Sequence, residues 1–339
     1  MDDLVYSMAD EPSVLGLSWE PADDSFFFTT SYVQEKCTKR SILSIVARLF
    51  DVLGLVAPVI LYAKLLIKEL WLCNIGWDDT PPDSVIHRFS ALTQEFPLIS
   101  IMKIPRHVGV LKDSTVLIVA FCDASMNGYG CVIYLHTTDL FGKITMRLLC
   151  AKSKVSPSKV TTLARLELCA AVLMSKLIRT VQDNYSERLP IVGTYAFSDS
   201  IIALSWIHSS THRWLVFVSN RVAQCQENLP PENFYHVAGS ENPSDCLSRG
   251  MLPSQLVSHD LWWNGPSWIR SPPLEWPLKP FHPTNAGEMP EHKANVLIAT
   301  FQGEKSVLSE LAQRISTWDK LLKIVVYVLR FIKKDITFL

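Results

Sequence analysis

The chain has 339 residues, 48% of them hydrophobic and 19% charged, with 32 basic against 33 acidic side chains. That hydrophobic share excludes a disordered regulator, and 13 glycines and 20 prolines without a period exclude collagen-like or low-complexity material. A net charge of −1 argues against a broadly basic nucleic-acid coat while leaving room for a local basic track, and the length suffices for two domains with a sizeable core.

The cysteines, at 37, 73, 122, 131, 150, 169, 225 and 246, never form a CxxC pair, which speaks against a disulfide scaffold or a zinc ribbon and for a reduced, intracellular chain. Met1-Asp2-Asp3 does not begin a signal peptide. The most membrane-like stretch, 52–63, contains Pro58, lies between Arg48, Asp51 and Lys64, Lys68, and falls far short of the ~20 residues a span needs. It reads as a buried helical region, and no membrane partner is expected.

In chain order, Val14 to Trp19 and Ser25 to Phe28 suggest a hairpin. Apolar residues three and four apart then predict helix over 41–71, closed by Trp77 and Pro81-Pro82. The run 115–121 is nearly all apolar, as in a strand covered on both faces. Residues 131–135 and 146–150 read as its hairpin partners, with Gly128 and Gly130 as punctuation. A long helix is predicted over 158–183, started by Ser156-Pro157. A strand at 191–197, helices at 200–208 and 214–226, and a short strand at 234–237 follow. This order predicts an α/β fold, a mixed five-stranded sheet with flanking helices, over 111–250, preceded by a mainly helical region over 1–110. Residues 251–339 read as a Trp/Pro-rich linker ending in an amphipathic helix over 321–332.

Four acids stand at the ends of elements converging on one sheet edge: Asp123 after the first strand, Asp199 after the later one, Asp245 in Asn242-Pro243-Ser244-Asp245, and Glu167 within the long helix. At 100° per residue, Glu167 shares a stripe with Leu163, Ala170, Met174, Leu177 and Val181, while Arg165, Lys176, Arg179 and Asp183 fall opposite. A carboxylate on an apolar face needs a partner, and a hard divalent ion shared with the other acids would supply one. The plain alternatives are helix caps for Asp199 and Asp245 and an arginine pair for Glu167. Two divalent ions in such a cluster would suit attack of water on a phosphodiester. Lys152, Lys154 and Lys159 lead into the long helix, and these, with Arg213 and Arg221, could hold phosphates without reading sequence.

With these motifs in place, 111–250 resembles the ribonuclease H domain in the pol polyprotein of Bel/Pao-class LTR retrotransposons, the Pao retrotransposon peptidase family. The resemblance rests on Phe121-Cys122-Asp123-Ala124-Ser125 with Gly128-Tyr129-Gly130, on 163–171, on Phe197-Ser198-Asp199-Ser200 with Trp206, and on His236-Val237-Ala238-Gly239 followed by Asn242 to Asp245 and Ser248-Arg249-Gly250. Trp262-Trp263-Asn264-Gly265-Pro266-Ser267-Trp268 extends it downstream. Upstream, Lys39 to Ser44 and Leu49-Phe50-Asp51-Val52-Leu53-Gly54-Leu55-Val56-Ala57-Pro58 look like the segment joining reverse transcriptase to ribonuclease H. On this resemblance, 1–110 is a reverse-transcriptase thumb or connection region and 251–339 leads toward an integrase.

The resemblance implies a Mg²⁺-dependent endoribonuclease (Mn²⁺ as the alternative) that cuts the RNA strand of RNA–DNA hybrids during reverse transcription. It places Asp123, Glu167, Asp199 and Asp245 on two metal ions, His236 as an accessory group, and Ser125 with the basic residues above at the substrate. It implies reverse transcriptase and integrase as polyprotein partners, with a cytoplasmic virus-like particle or the nucleus as the setting. No Tyr-x-Asp-Asp polymerase motif, no Asp-Thr/Ser-Gly peptidase motif and no His-His-Cys-Cys unit occurs, so those activities are not expected. The rival reading is a catalytically inactive or domesticated remnant that binds nucleic acid or protein.

Overall fold

A computed structural model describes residues 13–14, 17–29, 36–283, 289–293, 315 and 317–335. Contacts divide the chain into two units, Met1–Lys293 and Ala294–Leu339. Within the first, β1 (Ser13–Val14), β2 (Leu17–Glu20) and β3 (Ser25–Phe28) form the expected hairpin, extended by β4 (Ile104–Pro105) into a small antiparallel sheet.

The helical stretch anticipated over 41–71 is two helices, α1 (Lys39–Arg48) and α2 (Ala57–Leu72). The break between them has a physical cause. Gly54 sits at φ +76°, and a Cβ there would lie 2.0 Å from the Ala151 carbonyl oxygen. The Asp51 carboxylate accepts from the backbone N–H of Leu55 (2.9 Å) and Val56 (2.8 Å), ending the loop, and Pro58 then occupies the first turn of α2, where its missing N–H costs nothing. Helices α3 (Asp83–Gln94) and α4 (Phe96–Ser100) follow.

The large sheet comprises β5 (Thr115–Ala124), β6 (Gly128–Thr138), β7 (Ile144–Val155), β8 (Ile191–Ser198) and β9 (Phe234–His236). Its order is β7-β6-β5-β8-β9, with β5, β6 and β7 antiparallel in succession and β8 and β9 added in parallel. This is the predicted mixed five-stranded sheet. In β5 every residue from Val116 to Ala124 is buried, because the sheet is covered on both faces. Val119 and Phe121 face one core, with residues of α2 and the later tryptophans Trp262 and Trp276. Ile118, Ala120 and Cys122 face the other, shared with α5 (Leu163–Tyr185), α6 (Ile201–Ile207) and α7 (Val216–Asn228).

Helix α5 starts five residues later than Ser156-Pro157 suggested. Ser156 remains tied to the sheet, its N–H donating to the Asn127 carbonyl (2.9 Å) and its hydroxyl to that of Ser125 (3.2 Å), and Thr162 caps the helix by accepting from the Arg165 N–H. Beyond 250 the chain is more ordered than a linker. After α8 (Cys246–Arg249) it forms α9 (Pro253–Val257) and α10 (Asp260–Asn264), and Trp262 is buried with its indole N–H on the Leu55 carbonyl (3.0 Å). The second unit contains the expected terminal helix, Trp318–Asp335. Among the described residues no helix is long and apolar enough to cross a membrane.

Candidate active site

The parallel register of β5 and β8 aligns Cys122 with Ser198, so Asp123 and Asp199 leave neighbouring strands side by side at their carboxyl ends. In an open α/β sheet this edge is where chemistry is usually built. The turn 239–245 crosses the same edge and is pinned by Asn242. Its fully buried amide donates to the Cys122 carbonyl (3.0 Å), its Oδ1 accepts from the Ser244 N–H (3.1 Å) and hydroxyl (2.5 Å), and it also bonds the Asp199 side chain. Gly239 lies against Asp199: a Cβ there would be 3.3 Å from Oδ2. Asp245, at the end of that turn, pairs through an exposed contact with Arg249 (2.8 Å).

The plain alternatives for these acids are not what the structure uses. Helix α6 is capped by Ser200, not Asp199, and Asp245 makes no side-chain capping bond. Arg165 pairs with Glu291 (2.7 Å), while Glu167 instead receives a short hydrogen bond from the Ser200 hydroxyl. Ser200 thus serves two roles, accepting from the Ala203 N–H (3.1 Å) and donating to Glu167.

The electrostatics follow. Burial pushes the Asp123 carboxyl up to about 7, the neighbouring Ser248 hydroxyl, which donates to the Asp245 carbonyl (2.9 Å), opposes this, and Asp199 and Asp245 add repulsion. Burial also raises Glu167, with Asp199 repelling it and Ser200 opposing. Asp199 is raised by burial first and by Asp245 second, its backbone and Asn242 bonds and the nearby His236 pulling the other way. Asp123, Asp199 and Asp245 therefore feel one another, and Glu167 joins through Asp199. No Lys or Arg pairs with Asp123, Glu167 or Asp199 among the described residues. Among the described residues, too, no three His, Cys, Asp or Glu side chains are gathered closely enough to form a ready metal cage. The donor chemistry nevertheless suits a hard divalent cation: oxygen donors only, half-buried or buried, mutually repelling and lacking a cationic partner at three of four positions.

The other anticipated residues lie at varying distances from this cluster. Exposed His236 pairs in register with Ser198, beside Asp199. The Ser125 hydroxyl donates to the Ser248 carbonyl (2.6 Å) and accepts from the Asn127 N–H (3.0 Å), closing the β5–β6 turn. Exposed Lys152 and Lys154 flank Ser153, which pairs with Gly130, the partner of Asp123, so they stand two strands away, about 10 Å along the sheet. Lys159 is exposed before α5 and Arg213 is exposed before α7, while Arg221 packs on the Phe217 ring at 3.5 Å. Asn242, Ser200 and Ser248 were not anticipated as site residues. Ser200, directly after Asp199, was the most findable of the three.

Residues 38–200 match the family model described as Pao retrotransposon-like RNaseH-like domain, a span that includes Asp123, Glu167 and Asp199 but not Asp245. No curated protein matches the chain. Solved structures similar to it include the N-terminal RNase H domain of Rv2228c from Mycobacterium tuberculosis, solved as a fusion with maltose binding protein (14% identity, 40% of this chain and 91% of that one, TM-score 0.27). RNase H1 from the halophilic archaeon Halobacterium salinarum NRC-1 is similar at 14% identity over 39% of this chain and 93% of that one, TM-score 0.24. A foamy viral protease–reverse transcriptase in complex with double-stranded DNA is similar at 14% identity, TM-score 0.38, with 66% of this chain covering 37% of that one. At these scores the fold rests on the strand order and register described above.

Proposed function

We propose that the chain is a divalent-metal-dependent ribonuclease H that hydrolyses the RNA strand of RNA–DNA hybrids in a retrotransposon's reverse transcription. The observation that carries this reading is the meeting of Asp123 and Asp199 at the ends of adjacent parallel strands, with Glu167 and Asp245 within their electrostatic reach and no Lys or Arg neutralising the first three among the described residues. Asp123, Glu167, Asp199 and Asp245 would hold Mg²⁺ (or Mn²⁺). When bound, such ions lower the pKa of a water nucleophile and stabilise the leaving oxygen of a phosphodiester. The chain's own residues prepare the setting. Asn242 fixes the relation between β5 and Asp199, Ser200 orients Glu167 by donating to it, the Ser248 hydroxyl, which donates to the Asp245 carbonyl (2.9 Å), stands close enough to Asp123 to favour its charged form, and exposed His236 lies beside Asp199. Lys152, Lys154, Lys159, Arg213 and Arg221 would meet phosphates, and the hybrid would be recognised through its shape and 2′-hydroxyls. The remaining pol polyprotein domains, reverse transcriptase and integrase, would be its partners.

The Asp245–Arg249 pair and the lack of a preformed cage among the described residues favour the second reading, a non-catalytic module that binds nucleic acid or protein. Incubating a labelled hybrid with the protein in Mg²⁺ and then in EDTA separates the two. Cleavage only in Mg²⁺, lost in Asp123→Asn while hybrid binding persists, supports the enzyme. Binding without cleavage in either condition supports the module.

A further inference from the structure

Residues 289–293 fold back across α6 and α7 near the start of α5. Met289 is buried in the core on that face. The Pro290 carbonyl accepts from the Trp206 indole (3.2 Å), the Glu291 carbonyl from the Leu215 N–H (2.8 Å), and the Lys293 N–H donates to the Arg213 carbonyl (2.8 Å). At the centre of this strap, Glu291 Oε1 accepts from Arg165 Nε at 2.7 Å, and the pair is half-buried to buried, 32% and 12% exposed.

Two features of Glu291 are unfavourable. Its backbone sits at φ +66°, a left-handed conformation that costs a non-glycine residue of order 1 kcal/mol. Its second oxygen, Oε2, is buried without a hydrogen-bond partner among the described residues. The carboxylate is therefore held, but poorly satisfied, against a cationic surface. That surface consists of Arg165 and Arg221 stacked on the Phe217 ring, at 4.7 and 3.5 Å from its centre, with Arg221 Nε also donating to Cys169 Sγ (3.3 Å). It continues to Tyr129, which feels both Cys169 and Arg221 and pairs with Ala124, the residue after Asp123. Arg165 lies about 200° around α5 from Glu167, so the surface flanks the carboxylate cluster without entering it.

We propose that Arg165 and Arg221 on Phe217 form a shelf for the phosphodiester backbone of the hybrid, and that Glu291 occupies this shelf in the free protein as an internal phosphate substitute. The inference rests on the proposed hybrid substrate. Binding nucleic acid exchanges one anion for another: the Glu291 carboxylate leaves Arg165, a backbone phosphate takes its place, and the strap keeps its main-chain bonds to Leu215 and Arg213.

The test measures binding alone, with a fluorescein-labelled RNA–DNA hybrid in EDTA and the full chain carrying Asp123→Asn, so that cleavage does not enter. Glu291→Gln and Glu291→Gly, the latter also relieving the positive φ, should each tighten binding about tenfold, the worth of one charge-assisted contact. They should also steepen the fall of log K with log salt by about one unit, as expected for one further phosphate contact. Adding Arg165→Gln to either should cancel both gains. Unchanged or weaker binding in both Glu291 variants, or gains that survive Arg165→Gln, would overturn the proposal. Tightened binding in a protein whose Asp123 form never cleaves would retain the shelf and remove the nuclease reading.

Discussion

Replacing Asp123 by Asn should stabilise the protein while abolishing the proposed cleavage. Asp123 is 7% exposed, and its carboxyl is pushed up to about 7 from an ordinary value of 3.8, chiefly by burial. The folded form thus binds the proton more tightly than the unfolded chain. Between about pH 4 and pH 7 the folded state carries more protons, so this group's contribution is fully present below pH 4 and lost as pH rises through 7. A shift of about 3 units corresponds to on the order of 4 kcal/mol. Asparagine keeps the shape but cannot ionise, so its stability should not carry this slope. In EDTA the variant should match the wild type near pH 4 and exceed it by up to about 4 kcal/mol at pH 8, measured by urea unfolding. Mg²⁺ should then narrow the gap by stabilising only the wild type, since a ligand that binds the native state adds to its stability. A difference between the two proteins that does not widen from pH 5 to pH 8 would refute this account of the buried carboxylate.

Other substitutions probe the supports of the site. Gly54→Ala should lower stability by at least about 2 kcal/mol, because the left-handed φ of +76° is compounded by a contact of 2.0 Å with the Ala151 carbonyl; an unchanged melting temperature would contradict the close docking of this loop on β7. Asn242→Ala should cost about 1–3 kcal/mol by orphaning the Cys122 carbonyl, and should reduce hybrid cleavage at least tenfold while leaving hybrid affinity nearly unchanged. Comparable single-turnover rates in the variant and the wild type would show that the turn 239–245 holds its place without Asn242.

Much of the central fold was legible because both of its faces are buried. A strand such as 116–124 that must be apolar on both sides announces itself in the sequence, and so does a helix with one acid on an apolar stripe. What could not be read was set by residues far along the chain. The period of three and four runs on either side of 49–56 and masks the local signals of Gly54 and Pro58; that only glycine fits at 54 is further set by Ala151, nearly a hundred residues on. The start of α5 was misplaced because Pro157 is a good first-turn residue, while the hold of the sheet on Ser156 depends on Asn127 and Ser125. That the stretch after 250 forms more than a linker depends on partners far back in the chain, such as the Leu55 carbonyl that accepts from the Trp262 indole. At the site, position after a strand identified Asp123 and Asp199, but only the fold shows that Ser200 takes the cap and leaves Asp199 free to face its neighbours.

These remote contacts tie the segment before the large sheet to the carboxylate edge. Helix α2 lies between the two ends of the site's framework. Gly250, at φ +74°, brings the end of α8 within 2.8 Å of the Tyr62 backbone nitrogen, measured from the position a Cβ would take, and Leu61 packs beneath Gly128 in the turn that follows Asp123. Lys68 donates to the Ser156 carbonyl (2.9 Å) where β7 ends. Asp245 opens α8, and Ser248 within it influences Asp123 and accepts at its carbonyl from Ser125, two residues beyond Asp123, so a shift of α2 against the sheet would reach two of the four acids through one short helix. Because α8 has only four residues, its own backbone bonds cannot hold its place, and tertiary contacts must. The upstream helix is in this sense part of the site: it supplies no reacting group, but it fixes where Asp245 and the Ser248 hydroxyl stand relative to Asp123.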